Sequence, residues 1–223
     1  MPPSLCPDDS FPFHCRPELA CFAACCSDLD LLLTPYDFLR LPPRLGLSVQ
    51  AFRDRWTDTP FGERARLPLI FLRMQDDEKN SCPFVSPAGC TIYSDRPLAC
   101  RLYPLGLMSA QAGGGAGEDR FLFIQEPHCL GHGEKKPWTV REWLQDQCPD
   151  PYLKLGRLFY QACFHPRVMQ GPVLDAEPRA LFFSACYDLE EFGRRLSLPL
   201  SGDPAEQLRF SLRWLRDFLS SCA

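Results

Sequence analysis

Thirteen cysteines punctuate this chain of 223 residues, and eight of them are grouped in a way that can do chemistry. Cys15, Cys21, Cys25 and Cys26 form a first group spaced Cys-x5-Cys-x3-Cys-Cys. Cys82, Cys90 and Cys100 form a second, Cys-x7-Cys-x9-Cys, and Cys129 follows in Glu-Pro-His-Cys-Leu-Gly-His-Gly. Deprotonated thiols are soft metal ligands. Eight of them suit two four-thiolate sites, or one such site with spare thiols for a second metal. Four-thiolate sites hold either zinc or an iron–sulfur cluster, 4Fe-4S among them. Structural zinc is usually gripped by paired short knuckles, Cys-x2-4-Cys. Cys21-x3-Cys25 fits one knuckle, and the second group has none. Cys25 and Cys26 point apart as sequence neighbours, so they serve two metals or one of them bridges. The Cys-x3-Cys-x2-Cys signature of radical methylating enzymes is absent, because position 28 is Asp28.

A four-thiolate site on zinc or on an oxidised four-iron cluster carries a net charge of about −2 and needs amide donors and cations around it. Arg96 and Arg101 flank Cys100 and are the expected cofactor-binding residues, with a structural role in the segment. Lys135 and Lys136, after Cys129, read as solvated charge. His14, His128 and His132 adjoin the thiols, and each could replace a thiolate on zinc. An ordinary surface or supporting role is the reading for each. Tyr93 and Tyr103 either pack over the metal site or face a substrate, and packing is the reading taken. Cys148, Cys163, Cys186 and Cys222 lie three or four residues after an apolar residue, on the apolar faces of expected helices, and read as core. Cys6 sits in a proline-rich terminus. No catalytic nucleophile can be singled out.

Composition sets the frame. Hydrophobic residues make up 45% and charged residues 23%, which excludes general disorder. A net charge of −4 argues against nucleic acid as the main partner. No apolar run is long enough to span a membrane. The first residues, Met1-Pro-Pro-Ser-Leu-Cys-Pro-Asp-Asp, have no basic and apolar regions of a signal peptide. With an odd number of cysteines and no export signal, the expectation is a cytoplasmic protein with reduced thiols.

The elements that must position the thiols follow from local pattern. Residues 1–14 read as irregular. Thr34-Pro35-Tyr36-Asp37 starts a helix, with Thr34 as N-cap and Pro35 at N1, that stops before Pro42-Pro43. A second short helix covers Val49 to Trp56, and Leu67 to Met74 reads as a strand. Cys82–Val85 and Cys90–Tyr93 form a hairpin across Ser86-Pro-Ala-Gly89. Ser94-Asp95-Arg96-Pro97 opens a short helix carrying Cys100. The run Gly113–Gly117 is a loop without the Lys-Ser/Thr ending of a phosphate loop. Phe121 to Gln125 is a strand. Thr139-Val-Arg-Glu142 is a capping box. Helices follow from Asp150-Pro151 to before Pro166, along Leu181–Phe192, and from Asp203-Pro204 with Leu208, Leu212, Leu215 and Leu219 on one side. The fold class is α+β: a cysteine-rich core with short strands and a hairpin, residues 1–135, packed against a helical part, residues 136–223.

Several segments resemble the YkgJ-type CxxCxxCC cysteine-cluster family of bacteria, described as zinc- or iron-chelating. They are Phe13-x-Cys15 with Cys21 and Cys25-Cys26, Cys82-Pro-Phe84, Gly89-Cys90-Thr-Ile-Tyr93, Arg96-Pro97-Leu-Ala-Cys100-Arg101-Leu-Tyr103-Pro104, and Cys129-Leu-Gly131 through Thr139 to Leu144. The resemblance extends over about residues 11–195 and implies metal binding by these cysteines. The chain departs from the family's Cys-x2-Cys-x2-Cys-Cys in its longer first interval, which is more similar to the flagellin lysine N-methylase branch. That branch implies an iron–sulfur cluster, S-adenosylmethionine as a second cofactor and a protein substrate. No glycine-rich S-adenosylmethionine loop is visible to support methyl transfer. Structural zinc in an interaction or assembly module, and storage or delivery of a soft metal, are the alternatives.

Overall fold

The computed structural model describes residues 3–59, 66–108 and 119–221. The Gly113–Gly117 run and Cys222 lie outside them. Among the described residues, strands β1 (Ser4–Leu5) and β2 (Ser10–Pro12) precede helices α1 (Pro35–Arg44) and α2 (Val49–Trp56). Four two-residue strands follow: β3 (Thr57–Asp58), β4 (Phe71–Leu72), β5 (Val85–Ser86) and β6 (Gly89–Cys90). Next come α3 (Leu98–Leu102), β7 (Leu105–Met108), β8 (Arg120–Phe123) and β9 (Pro137–Thr139). The remainder is helical: α4 (Val140–Gln147), α5 (Tyr152–Cys163), α6 (Pro166–Met169), α7 (Ala176–Tyr187), α8 (Leu189–Arg195) and α9 (Pro204–Ser221). The fold is thus α+β, with small antiparallel sheets before a helical C-terminal part. No helix among the described residues is long and apolar enough to cross a membrane.

Within residues 3–14 two short strands are ordered by pairing, contrary to the irregular reading. β1 adds to β8 and β7 in one antiparallel sheet, and β2 pairs with β9 so that Phe11 faces Trp138. Two-residue strands rich in proline carry little alternation of their own, so only the distant partner reveals them. β2–β9 also joins residues on either side of position 135.

Helix α1 begins as expected but does not stop at its prolines. Thr34 Oγ1 accepts from the Asp37 N–H at 3.3 Å, and Asp37 returns the bond to the Thr34 N–H at 2.8 Å. The helix continues through Pro42 and Pro43, because their fixed φ suits a helix and the last turn is closed from beyond. The Leu45 N–H donates to the Leu41 carbonyl and that of Leu47 to the Pro42 carbonyl. Buried Phe38, Leu41 and Pro42 hold that face against the core.

The apolar run from Leu67 is extended yet pairs as a strand only at Phe71–Leu72. Its other backbone groups meet residues 31–33: the Leu33 N–H donates to the Ile70 carbonyl and the Leu72 N–H to that of Leu31. The Leu181–Phe192 stripe is two helices. They break at Asp188, whose side chain caps α8 by accepting from the Glu191 N–H at 3.0 Å.

One apolar core runs through both parts of the chain. Leu208, Leu212, Leu215 and Leu219 of α9 are buried, as their spacing demands, and α9 packs on α5, α7 and α1. Gly156 of α5 lets Leu98 of α3 lie directly on the helix, since a Cβ there would collide with the leucine. The Tyr187 hydroxyl reaches back to the Leu33 carbonyl at 3.1 Å. The helical part therefore braces the two segments, residues 31–37 and 98–102, that carry the cysteine region.

Candidate metal centre

Three separate stretches of backbone are stitched together around one set of thiols. Cys25 and Cys26 lie on a 3-10 turn, Ala24–Cys26, entered through Ala23 at φ 63°. The Cys26 carbonyl accepts from the Cys82 N–H at 2.8 Å, and the Asp28 N–H donates to the Asn80 carbonyl at 3.0 Å. The expected hairpin is present in shortened form, with Val85 opposite Cys90 across β5 and β6. Its turn needs Gly89, which has φ 105° and would bring a Cβ to 3.1 Å from the Phe22 ring. Phe22, next to Cys21, thereby covers the base of the hairpin.

Cys100 arrives on α3, and Asp37 fixes that helix. One carboxylate oxygen serves Thr34; the other accepts from the Leu98 N–H at 2.9 Å. Asp37 is wholly enclosed, and burial pushes its carboxyl up to about 6 against these hydrogen bonds and the charge of Arg101. Arg101 donates to the carbonyls of Arg96 at 2.9 Å, Gln147 at 3.1 Å and Ser94, and stacks 3.9 Å over Tyr152. Arg96 donates to the Tyr93 carbonyl at 2.8 Å and to the Gln147 amide oxygen. Both guanidiniums are thus bonded to backbone and amide oxygens of the segment around Cys100. They set the loop around Cys100 and leave positive charge beside it.

A second set of thiols is assembled on the other side of the Cys21–Cys26 segment. The His14 N–H donates to the Gly131 carbonyl at 3.0 Å and the Phe13 N–H to that of Lys136 at 3.0 Å. Arg16 clasps Glu134 at 3.2 Å. These bonds lay Cys15 beside the turn Leu130–Gly133 that follows Cys129. The Leu130 N–H donates to the Cys21 sulfur at 3.2 Å, the kind of amide donor that stabilises a thiolate.

The thiols also sense one another, and Cys25 acts on Cys15 as well as on Cys82 and Cys100. Cys100 is pushed up to about 12, first by burial and then by Cys82, Asp37, Cys90 and Cys25. Cys82 is raised by burial and by Cys90 and Cys25. The Cys25 and Cys26 thiols, expected to point apart, instead lie within hydrogen-bonding reach of each other. That contact draws Cys25 down and raises Cys26, so the pair gives up its first proton more readily than a lone thiol. Burial and Cys82 and Cys100 raise Cys26 further. Cys15 has an open outer face, yet the protein packed behind its sulfur pushes it up to about 11, helped by Cys25, Cys129 and Cys21. Among the described residues, no three His, Cys, Asp or Glu side chains converge as they stand on the reach of a single ion. The thiols are neighbours, not a closed cage.

Three residues around Cys129 acquire roles that sequence reading did not give them. The Tyr103 hydroxyl donates to Glu126 at 3.0 Å and also meets the Cys129 thiol, and burial with both partners raises its pKa. Glu126 is also 3.4 Å from His128. It lies in the quoted Glu-Pro-His-Cys run, but nothing in its spacing marked it. His132, read as a surface or supporting residue, packs its ring 5.3 Å from Phe13 and from Phe123. Both ring nitrogens are buried without a hydrogen-bond partner, and burial lowers its pKa. Tyr93, expected to pack over the thiols, is instead exposed, with Arg96 3.9 Å over its ring. Cys148, Cys163 and Cys186 are buried in the apolar core, as their spacing indicated.

The donor chemistry fits a thiolate-held metal or cluster: eight thiols drawn from four segments, an amide donor on one sulfur, fixed cations and an unpartnered imidazole. Comparison with known families agrees. The model of the CxxCxxCC family, described as "Putative zinc- or iron-chelating domain", matches residues 14–148, which include all eight of these cysteines. No curated protein and no solved structure matches the chain.

Proposed function

Because the chain belongs to the CxxCxxCC family, we propose that it is a metal-binding protein whose thiolates hold an iron–sulfur cluster. The family description supports zinc or iron, and the finer assignment is ours. Cys26, Cys82, Cys90 and Cys100 are the cluster ligands, with Cys25 as the neighbouring thiol. The observation that carries this reading is the stitching of three segments, the Cys26 carbonyl to Cys82, the β5–β6 hairpin, and Asp37 to α3, which brings Cys26 within electrostatic reach of Cys82 and Cys100, and Cys100 within reach of Cys82 and Cys90. The intervals between them lack the paired knuckles of structural zinc, which favours a cluster. When bound, a cluster supplies electron-transfer or Lewis-acid chemistry. The chain's part is to hold the thiolates and to offset their negative charge with Arg96 and Arg101. Ligands must be deprotonated to bind, so loading releases protons and weakens as pH falls.

The test is anaerobic purification with iron, zinc and acid-labile sulfide measured together. A brown protein with broad visible absorption and equimolar iron and sulfide is expected. A colourless protein with stoichiometric zinc and no sulfide replaces the cluster with structural zinc. Methyl transfer rests on the first cysteine interval alone and is tested separately, by isotope transfer from S-adenosylmethionine to protein; no transfer removes it.

A further inference from the structure

We propose that a cleft between α4, α5 and β8 binds a small amphipathic carboxylate, which takes the place of Asp8 on the guanidinium of Arg141. This site uses none of the eight grouped thiols and stands apart from metal binding.

The cleft follows from local sequence. Pro149 and Pro151 interrupt the helical run, so α4 closes at Cys148 and α5 restarts at Tyr152. Arg141, Leu144, Gln145 and Cys148 recur at helical spacing and line the gap from the side of α4. Leu153 and Arg157 of α5 and Phe121 of β8 complete its walls. The cleft holds about 470 Å³, within the range of small-molecule sites, roughly 300–1,000 Å³. Phe121, Cys148 and Leu153 are buried and Leu144 is half-buried, so an apolar body finds apolar walls there.

The charged groups at the rim select the ligand. Arg141 gives its Nε and one Nη to a single oxygen of Asp8, at 3.1 and 2.9 Å. The pair is open to water, with 84% of the Asp8 side chain exposed, and such pairs contribute little to stability. A ligand carboxylate takes the same guanidinium fork and also buries its apolar body in the cleft, a gain that Asp8 does not have. Arg157, ion-paired among the described residues with Asp119 alone, adds a second guanidinium to the same walls. Asp150 at the rim is engaged by Lys154 at 2.6 Å. One negative charge fits this balance, because it replaces that of Asp8. A doubly charged phosphate would add negative charge beside Asp119 and Asp150.

The test is calorimetric titration of the full chain with 3-phenylpropanoate, with its neutral amide and with phenyl phosphate. Binding of the carboxylate at one site per chain is expected, and the amide and the phosphate bind at least about tenfold more weakly. Arg141→Gln weakens the carboxylate at least about tenfold. Asp8→Ala, which releases the guanidinium, tightens it about two- to fivefold. Gln145→Trp places an indole at the exposed mouth, fills the cleft and abolishes binding while leaving the thermal midpoint unchanged. A wild-type chain that does not bind the carboxylate overturns the proposal. So does an amide or phosphate that binds equally well, an unchanged affinity in Asp8→Ala, or binding that survives Gln145→Trp. None of these results bears on the metal content, so the proposal fails or stands separately from the thiolate reading.

Discussion

Cys100 and Cys186 both sit on helical elements with their sulfurs enclosed by protein, yet their surroundings differ in kind. Cys186 lies on the apolar face of α7, and burial alone, with a minor contribution from Cys163, raises its thiol far above the usual range. Cys100 meets Cys82, Cys90, Cys25, the Asp37 carboxyl and the cation of Arg96. Enclosure is common to both, so burial does not separate a ligand thiol from a core thiol. The backbone does. Cys163 and Cys186 stand on the long helices α5 and α7, and Cys148 follows the last residue of α4. The grouped ones stand on 3-10 turns, a two-residue hairpin and a five-residue helix, whose free backbone groups are tied to distant segments.

The widest contrast is in reactivity. In metal-free protein at neutral pH, the exposed and half-buried thiols are expected to alkylate at least about 100-fold faster than Cys163 and Cys186, which require opening of the helical part. Added metal should then protect the grouped thiols and leave the core pair unchanged. Mass-spectrometric mapping over time reads both, and equal rates would break the comparison.

A second way to break it is through stability. Phe159→Ala, in the fully buried centre of α5, should cost about 3–5 kcal/mol whether or not a chelator is present. Denaturant titration checks this, and a chelator-dependent cost would mean that the helical part is not an independent brace.

Asp37 joins the two regions, and its effect is smaller. Asp37→Asn turns a donor toward the Leu98 or Thr34 N–H and should cost about 1–3 kcal/mol. The carboxyl is also held up to about 6 in the fold, against about 3.9 unfolded. The folded state therefore binds this proton more tightly, and its contribution to stability falls as pH rises from about 4 through about 6. Metal-free wild type should show that slope relative to Asp37→Asn, and parallel curves would contradict it. Smallest is Tyr103→Phe, which loses the bond to Glu126 and should cost about 0.5–1.5 kcal/mol by the same titration.

Much of this was legible in the residues. The N-cap at Thr34, the capping box at Thr139, the helix from Val49 to Trp56 and the leucine face of α9 are local, so three or four neighbouring residues specify them. The grouping of Cys82, Cys90 and Cys100 on a hairpin and a short helix was legible for the same reason. β1 and β2 were not, because two- and three-residue strands exist only through partners more than a hundred residues away. Asp37 read only as part of the helix start, and its second oxygen on α3 is a tertiary bond that no local pattern encodes. The burial of His132 depends on Phe13 and Phe123, which neighbour it only in space. The backbone bonds from Cys82 to Cys26 and from His14 to Gly131 join distant segments, so spacing alone left them open.

The central claim is that the grouped thiols, and not the core thiols, hold metal. It is tested most directly by counting iron, zinc and labile sulfide in chains prepared without oxygen. Three chains suffice: wild type, a variant with Cys26, Cys82, Cys90 and Cys100 changed to serine, and one with Cys148, Cys163 and Cys186 changed to alanine. Wild type and the core variant should carry about four iron and four sulfide per chain, and the serine variant none. A wild type without metal, or a serine variant that keeps its iron and sulfide, would contradict the account.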